Sequence, residues 1–191
     1  MSGPIAGVRV LELAQIMAGP ACGLMLADLG AEVIKIEKTA GGDDTRKFLP
    51  PDINGESAAF MMMNRNKKGL ALNLKEQEGI NIFKKMVEQS DVVIENFRKG
   101  TLEKLGIGYE DLKKINPKII LCEISGYGRT GPYADKGGFD LVAQGMSGLM
   151  SITGESSDKP PMKVGAPLTD ITAGILGATG VLAALINRDK T

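Results

Sequence analysis

Residues 8–37 read VRVLELAQIMAGPACGLMLADLGAEVIKIE, and they decide the fold. Val8 to Ala14 is a short apolar run of strand type. Gly19-Pro20 marks a break, Ala21 to Leu29 reads as a helix closed by Gly30, and Ala31 to Glu37 is a second strand. A strand-helix-strand unit of this kind makes a parallel pair joined by a right-handed crossover.

The same alternation continues outward. Gly69 to Leu74 and Asp91 to Asn96 read as strands around an amphipathic helix, Lys75 to Gln89, that carries Ile80, Phe83, Met86 and Val87 on one face. Short helices are expected at Thr101–Leu105 and Tyr109–Ile115, a buried strand at Lys118–Ser125, a glycine-rich loop at Gly126–Gly138 and a short helix at Leu141–Met150. Lys38 to Gly55 is polar, with adjacent aspartates and a Pro-Pro pair, and is read as a long surface loop. The three consecutive methionines of Ala58–Met63 are read as gap-filling core. The fold class is therefore α/β, an open, mostly parallel and Rossmann-like sheet with helices on both faces. Ligands of such sheets bind beyond the carboxyl ends of the strands. At 191 residues the chain is long enough for one substantial domain.

Composition excludes several chemistries. Lys plus Arg and Asp plus Glu both total 23, so no overall field favours nucleic acid or an anionic membrane surface. Histidine is absent, which removes Ser-His-Asp and Cys-His machinery and leaves no expectation of a metal site. Cys22 and Cys122 sit among small and apolar residues and read as buried hydrophobes in a reducing compartment. The opening MSGPIAGVRV has no basic segment followed by an apolar core, and a cytoplasmic protein is expected.

Val164 to Ile186 holds the longest uncharged run, free of charge from Ile171 through Asn187, with Asp170 just before it. The run reads as a core helix apolar on all sides rather than a membrane span, and it places Asp170 at the N-cap. Two readings of Asp170 stand at this point, a structural cap and a reactive carboxylate. Gly165, Gly174 and Gly177 would leave room for a ligand beside it. Gly126, Gly128 and Gly131 match G-x-G-x-x-G, but Pro132 follows at once and no acidic residue lies about twenty positions on, so a nucleotide-linked oxidoreductase is the weaker alternative. Basic residues near strand ends (Lys35, Lys38, Arg65, Lys67, Lys68, Lys75, Arg98, Lys99 and Lys104) form a candidate phosphate-binding set, with solvated surface as the competing reading.

Six segments in order, VRVLELAQIMAGP, LADLGAEVIKIEK, MNRNKKGLALNLK, DVVIENFRKGTLEKLGI, EISGYGRTGPYADKGGFDLVAQGMSGLMSITG and PLTDITAGILGATGVLAAL, resemble the N-terminal half of the class III CoA-transferases, the formyl-CoA and carnitine CoA-transferase family. The resemblance implies that Asp170 attacks an acyl-CoA thioester to give an acyl-aspartyl anhydride and then an aspartyl-CoA thioester. Coenzyme A would be a substrate, and no tightly bound cofactor is implied. It further implies that Lys38 and Lys104 face the CoA phosphates, with Arg98 beside them, that Leu72 and Lys75 lie along the nucleotide, and that Asn96 and Phe97 line the pantetheine path. Met17 stands where formyl-CoA transferase has glutamine, which points away from formate and oxalate and toward a more apolar acyl group. Phe139 replaces the histidine that related racemases carry before the acid at Asp140, so racemisation is not expected, and Asp140 is a loop or helix cap with a supporting role open to it. Residues 1–191 correspond to the N-terminal part of the family's large domain, without the small domain and the C-terminal return segment. The resemblance implies an interlocked homodimer, or a second polypeptide supplying the missing half, and leaves open a CoA-binding fragment that is inactive alone.

Overall fold

Val10 and Leu11 of the first strand, and Val92 and Val93 of the fourth in the main sheet, are completely buried although neighbouring residues point to opposite faces. Burial on both sides is what a parallel sheet covered by two helical layers imposes. The computed structural model describes residues 3–156 and 158–188. Met1 and Ser2 of the opening MSGPIAGVRV, residue 157 and residues 189–191 lie outside them. The strands are β1 (Arg9–Glu12), β2 (Glu32–Glu37), β3 (Asp52–Ile53), β4 (Glu56–Ser57), β5 (Lys68–Ala71), β6 (Val92–Glu95) and β7 (Ile120–Glu123). The helices are α1 (Ala18–Asp28), α2 (Ala58–Asn64), α3 (Gln77–Val87), α4 (Thr101–Lys104), α5 (Tyr109–Ile115), α6 (Asp140–Met146) and α7 (Leu168–Arg188), with single 3-10 turns at Asp44–Lys47 and Leu149–Ile152.

The main sheet has the order β5-β2-β1-β6-β7, and every adjacent pair in it is parallel. From β1 the chain winds outward through β2 to β5, then returns to the other side of β1 for β6 and β7. The order thus reverses between β1 and β6, the point at which loops diverge and open a crevice. One core layer sets Val10, Val92 and Ile94 against α1 and α7; the other sets Leu11, Val93 and Ile36 against Phe83, Val87 and Leu112 of α3 and α5.

Five local expectations change. Of the three methionines read as gap-filling core only Met63 is buried, while Met61 and Met62 are exposed. Helix α1 begins at Ala18, so Gly19 and Pro20 form its first turn instead of a break. The N–H groups of a first turn lack intrahelical partners in any case, and proline costs nothing there. The Lys38–Gly55 excursion is not merely surface, because Asp43 and Thr45 are buried within it. The last helix starts at Leu168, which makes Asp170 its third residue and not its N-cap. That helix is also not buried all round: Gly174, Ala178, Val181 and Leu185 are covered by α1 and the sheet, whereas Leu176 is 64% and Ile186 61% exposed. Nothing among the described residues packs on the second face. By length and apolarity α7 could cross a bilayer, but its glycine face is seated on α1 as in a core helix. Gly174 makes that seat: a Cβ on it would fall 2.6 Å from Ala21 Cβ and 2.7 Å from the Ala18 carbonyl oxygen.

Candidate functional site

Beyond the carboxyl ends of β1, β6 and β7 lies a cleft of about 400 Å³. Ile16, Met17 and Ala18 line it after β1, Asn96 to Lys99 after β6, Ile124 to Gly126 after β7, and Thr169, Asp170 and Ala173 from the start of α7. It therefore sits on the switch point of the sheet. Asn96 fastens the two sides of that point together: its side-chain oxygen accepts from Gln15 N at 2.9 Å and its amide donates to Gln15 O at 2.7 Å. The glycine-rich loop forms another wall and is pinched at its base, where a Cβ on Gly126 would lie 2.4 Å from Gly138 Cα. Only glycine fits on either side of that crossing.

The carboxylate that caps α7 is Asp140. Its Oδ1 accepts from Thr169 N at 2.9 Å, from Thr169 Oγ1 at 2.6 Å and from Asp170 N at 3.4 Å, and its Oδ2 accepts from Gln144 Nε2 at 2.6 Å. Gln144, fully buried, in turn accepts Val164 N at 2.8 Å. Leu168 N and Ile171 N donate to Ala166 O and Pro167 O. The first-turn donors of α7 are thus engaged by the protein itself and are not held open for a reacting oxygen. Burial works to raise the Asp140 carboxyl, but the donors from Thr169, Gln144 and the Asp170 backbone outweigh it and hold the group below the usual range. Asp170 moves the other way. Burial, and then the charge of Asp140, push its carboxyl above the usual range. Two neighbouring carboxyls driven apart by their surroundings are a recurrent mark of divided roles. Of two carboxyls set apart in this way, the more basic is the better nucleophile.

The structure brings Met17, Asn96, Phe97, Arg98, Phe139 and Asp170 into this one cleft. Phe139 presents a ring that is 67% exposed into it. Asp140 stands behind Thr169 as described. Lys38, Leu72, Lys75 and Lys104 lie outside the cleft lining. Lys38 is exposed at the carboxyl end of β2, Lys75 is exposed in the turn after β5, Leu72 packs on the core layer of Leu11, Phe83 and Val93, and Lys104 is exposed on α4. Lys38 is paired with Asp44 at 2.6 Å. Of the other basic candidates, Lys35 and Lys67 are buried in ion pairs, and Arg65 and Lys68 pair with Asp28 and Glu32. Solvated surface describes Arg65 and Lys68, whereas Lys35 and Lys67 are buried and fit neither that reading nor the phosphate-binding one.

Two groups escaped the sequence reading. Arg129, from the glycine-rich loop, lines the cleft while pairing with buried Glu95 and with Glu123 at 3.1 Å. Burial pushes Glu95 up to about 7 against the pull of the Phe97 N–H and Arg129. The second group is a buried chain of charges in which Glu12 Oε1 meets Lys35 at 3.0 Å, Glu12 Oε2 meets Lys67 at 2.7 Å and Asp43 Oδ2 meets Lys35 at 2.8 Å. Glu37, at the end of β2, is occupied: Arg46 clasps both its oxygens at 2.8 Å and Asp43 N donates to it at 2.8 Å. Among the described residues no group of carboxylates and thiols has the arrangement of a metal site.

Fold and cleft together define an open α/β protein that presents a half-buried carboxylate, Asp170, at the switch point of a parallel sheet. The chain belongs to CoA-transferase family III, whose model matches residues 5–191. It is 46% identical to succinyl-CoA:glutarate CoA-transferase of Mus musculus over 188 residues, which covers 98% of this chain and 43% of that protein. It is 41% identical to the beta subunit of succinyl-CoA--L-malate CoA-transferase of Chloroflexus aurantiacus, covering 98% of this chain and 46% of the subunit. The crystal structure of a CAIB/BAIF family protein from Brucella suis superposes with a TM-score of 0.95 at 44% identity, over 100% of this chain and 51% of that one. The chain spans about half the length of the curated relatives it matches.

Proposed function

We propose that this chain carries the nucleophile-bearing part of a transferase that moves CoA from an acyl-CoA thioester to a free carboxylic acid, with Asp170 as nucleophile. The observation that carries this reading is the position of Asp170, a half-buried carboxyl of raised basicity at the switch-point cleft. Its carboxylate attacks the thioester carbonyl, the C–S bond breaks and CoA leaves as thiolate. The thiolate then attacks the aspartyl carbonyl of the mixed anhydride, releasing the first acid and leaving an aspartyl-CoA thioester. The acceptor carboxylate repeats the sequence in reverse and restores Asp170. Each hard exchange is divided into easier ones and the thioester energy stays in a covalent bond.

Both relatives are named for succinyl-CoA and a dicarboxylic acid, glutarate or malate. We assign the same class of substrate here, in preference to the apolar acyl group that Met17 favours, because Arg98, Lys99 and Lys136 line the cleft. The CoA nucleotide would run along the sheet edge, from Asn96 and Phe97 toward Lys38, Leu72, Lys75 and Lys104. Incubation with succinyl-CoA, trapping with hydroxylamine or borohydride, and peptide mass spectrometry test the reading. A modified Asp170 is expected; an unmodified Asp170 under conditions where CoA binds would refute it.

A second reading, a CoA-binding part that turns over only with another polypeptide or a second copy, is favoured by the uncovered apolar face of α7. Calorimetry that gives CoA binding without exchange, and exchange on adding the partner, selects it.

A further inference from the structure

Ile16 is a β-branched residue at φ 69, in the turn that carries the cleft wall from β1 into α1. Branched side chains avoid the left-handed region, and such strain persists only where surrounding groups over-determine it. Here the over-determination is visible. Both Asp43 oxygens accept from Ile16 N at 3.2 Å. Asp43 is 1% exposed, and it is itself fixed by Lys35 at 2.8 Å and by the Thr45 N–H and hydroxyl at 2.9 and 2.8 Å. The lysines of the buried charge chain hold the two flanks of the same turn, Lys35 donating to Ala14 O at 2.9 Å and Lys67 to Pro20 O at 2.9 Å. Three charged side chains, Lys35, Asp43 and Lys67, with Glu12 joining the two lysines, thus converge, inside the protein, on the seven residues of backbone from Ala14 to Pro20 that carry the cleft wall. A purely structural network would have no need to keep an isoleucine in a conformation that glycine adopts freely.

The geometry points to Asp43 as a positioning residue: its carboxylate, clamped by Lys35 and Thr45, holds the Ile16–Met17 turn in its strained form and so shapes the wall against which the CoA thioester lies. Only the identity of the ligand rests on the function proposed above. Asp43 touches no reacting atom and acts through the turn.

The test compares Asp43→Asn with the double variant Ile16→Gly/Asp43→Asn in the full chain. Hydrogen–deuterium exchange reads residues 15–20, and calorimetry reads succinyl-CoA affinity. Asp43→Asn is expected to speed exchange across that turn at least tenfold and to weaken binding about tenfold. Adding Ile16→Gly should restore most of the affinity, because glycine needs no clamp at positive φ. A residue that merely stabilised the fold would show no such rescue, so weakened binding without rescue overturns the proposal. Unchanged exchange at residues 15–20 also overturns it. Should Asp43→Asn fail to fold, Thr45→Val, which removes one hydroxyl from the clamp and no charge, is read by the same two measurements and the same rescue. A wild-type chain that binds no CoA thioester refutes the functional reading instead. The exchange arm then decides the clamp on its own: faster exchange in the variant upholds it, and equal exchange ends it.

Discussion

Replacing Gly174 and Gly180 of α7 by alanine, one at a time, sets two identical substitutions against each other on one helix. Alanine gains about 1 kcal/mol over glycine in a helix interior at either position. At Gly180 a Cβ meets nothing within 4 Å, so that gain stands alone. At Gly174 it falls 2.6 Å from Ala21 Cβ, 2.7 Å from Ala18 O and 3.0 Å from Cys22 N. Two of those atoms are α1 backbone and cannot escape by changing rotamer. Restoring ordinary carbon contacts near 3.5–4.0 Å moves one helix against the other by roughly 1 Å, an overpacking that costs about 1–3 kcal/mol. Gly174→Ala should therefore lose up to about 2 kcal/mol net, a fall of up to roughly 8 °C in Tm, while Gly180→Ala gains up to about 1 kcal/mol and roughly 2–4 °C. Circular-dichroism melts and urea titrations at one fixed protein concentration read both. Because α1 begins at the cleft wall, Gly174→Ala should also weaken succinyl-CoA binding. Shifts of the same sign in the two variants would refute the seating of α7 on α1.

Glu12→Gln removes the carboxylate shared by buried Lys35 and Lys67 and should cost about 3–5 kcal/mol, read as a lower urea midpoint; a loss under about 1 kcal/mol would contradict the buried charge chain. Asp170→Asn should abolish the trapped adduct and, at neutral pH, raise the urea midpoint, because it removes a charge that burial disfavours. The sign follows from the raised Asp170 carboxyl: its favourable protonated form is present at low pH and is lost as pH rises through the folded value, so the gain at neutrality should shrink on acidification. Asp140→Asn keeps an oxygen for Thr169 but removes the charge beside Asp170, so the acid limb of the pH profile of adduct formation should move to lower pH. An unmoved limb would mean that burial alone sets Asp170.

The strand-helix alternation was legible because parallel strands covered on both faces write short segments rich in Val, Ile and Leu, and VRVLELA and AEVIKIE are such segments despite the charges within them. The carboxyl-edge location of the cleft followed from that topology, and Met17, Asn96, Phe97, Arg98, Phe139 and Asp170 do meet there. What was not legible depended on contacts between distant segments. No local pattern says that α7 is capped by Asp140, 29 residues upstream. The exposed half of α7 was hidden for a similar reason, since an all-apolar helix states what it can bury and not what is present to bury it. The charge chain did leave one signal: Glu12 and Lys35 interrupt two apolar strands with opposite charges, and the observed register sets them side by side. That register opposes Lys35 to Glu12 and takes it out of the phosphate-binding set.

The seat of α7 on α1 also has a consequence in time. The α1 face at Ala18, Ala21 and Cys22 is translated well before Gly174 and Ala178 arrive to cover it, an interval of roughly 10–30 s at ordinary synthesis rates. Through that interval the nascent chain displays an apolar groove shaped for a helix, beside a sheet whose β6 and β7 are still being added. It is the stage at which a chaperone has the most to hold, and at which a neighbouring nascent copy offering its own α7 could be accepted in place of the chain's own.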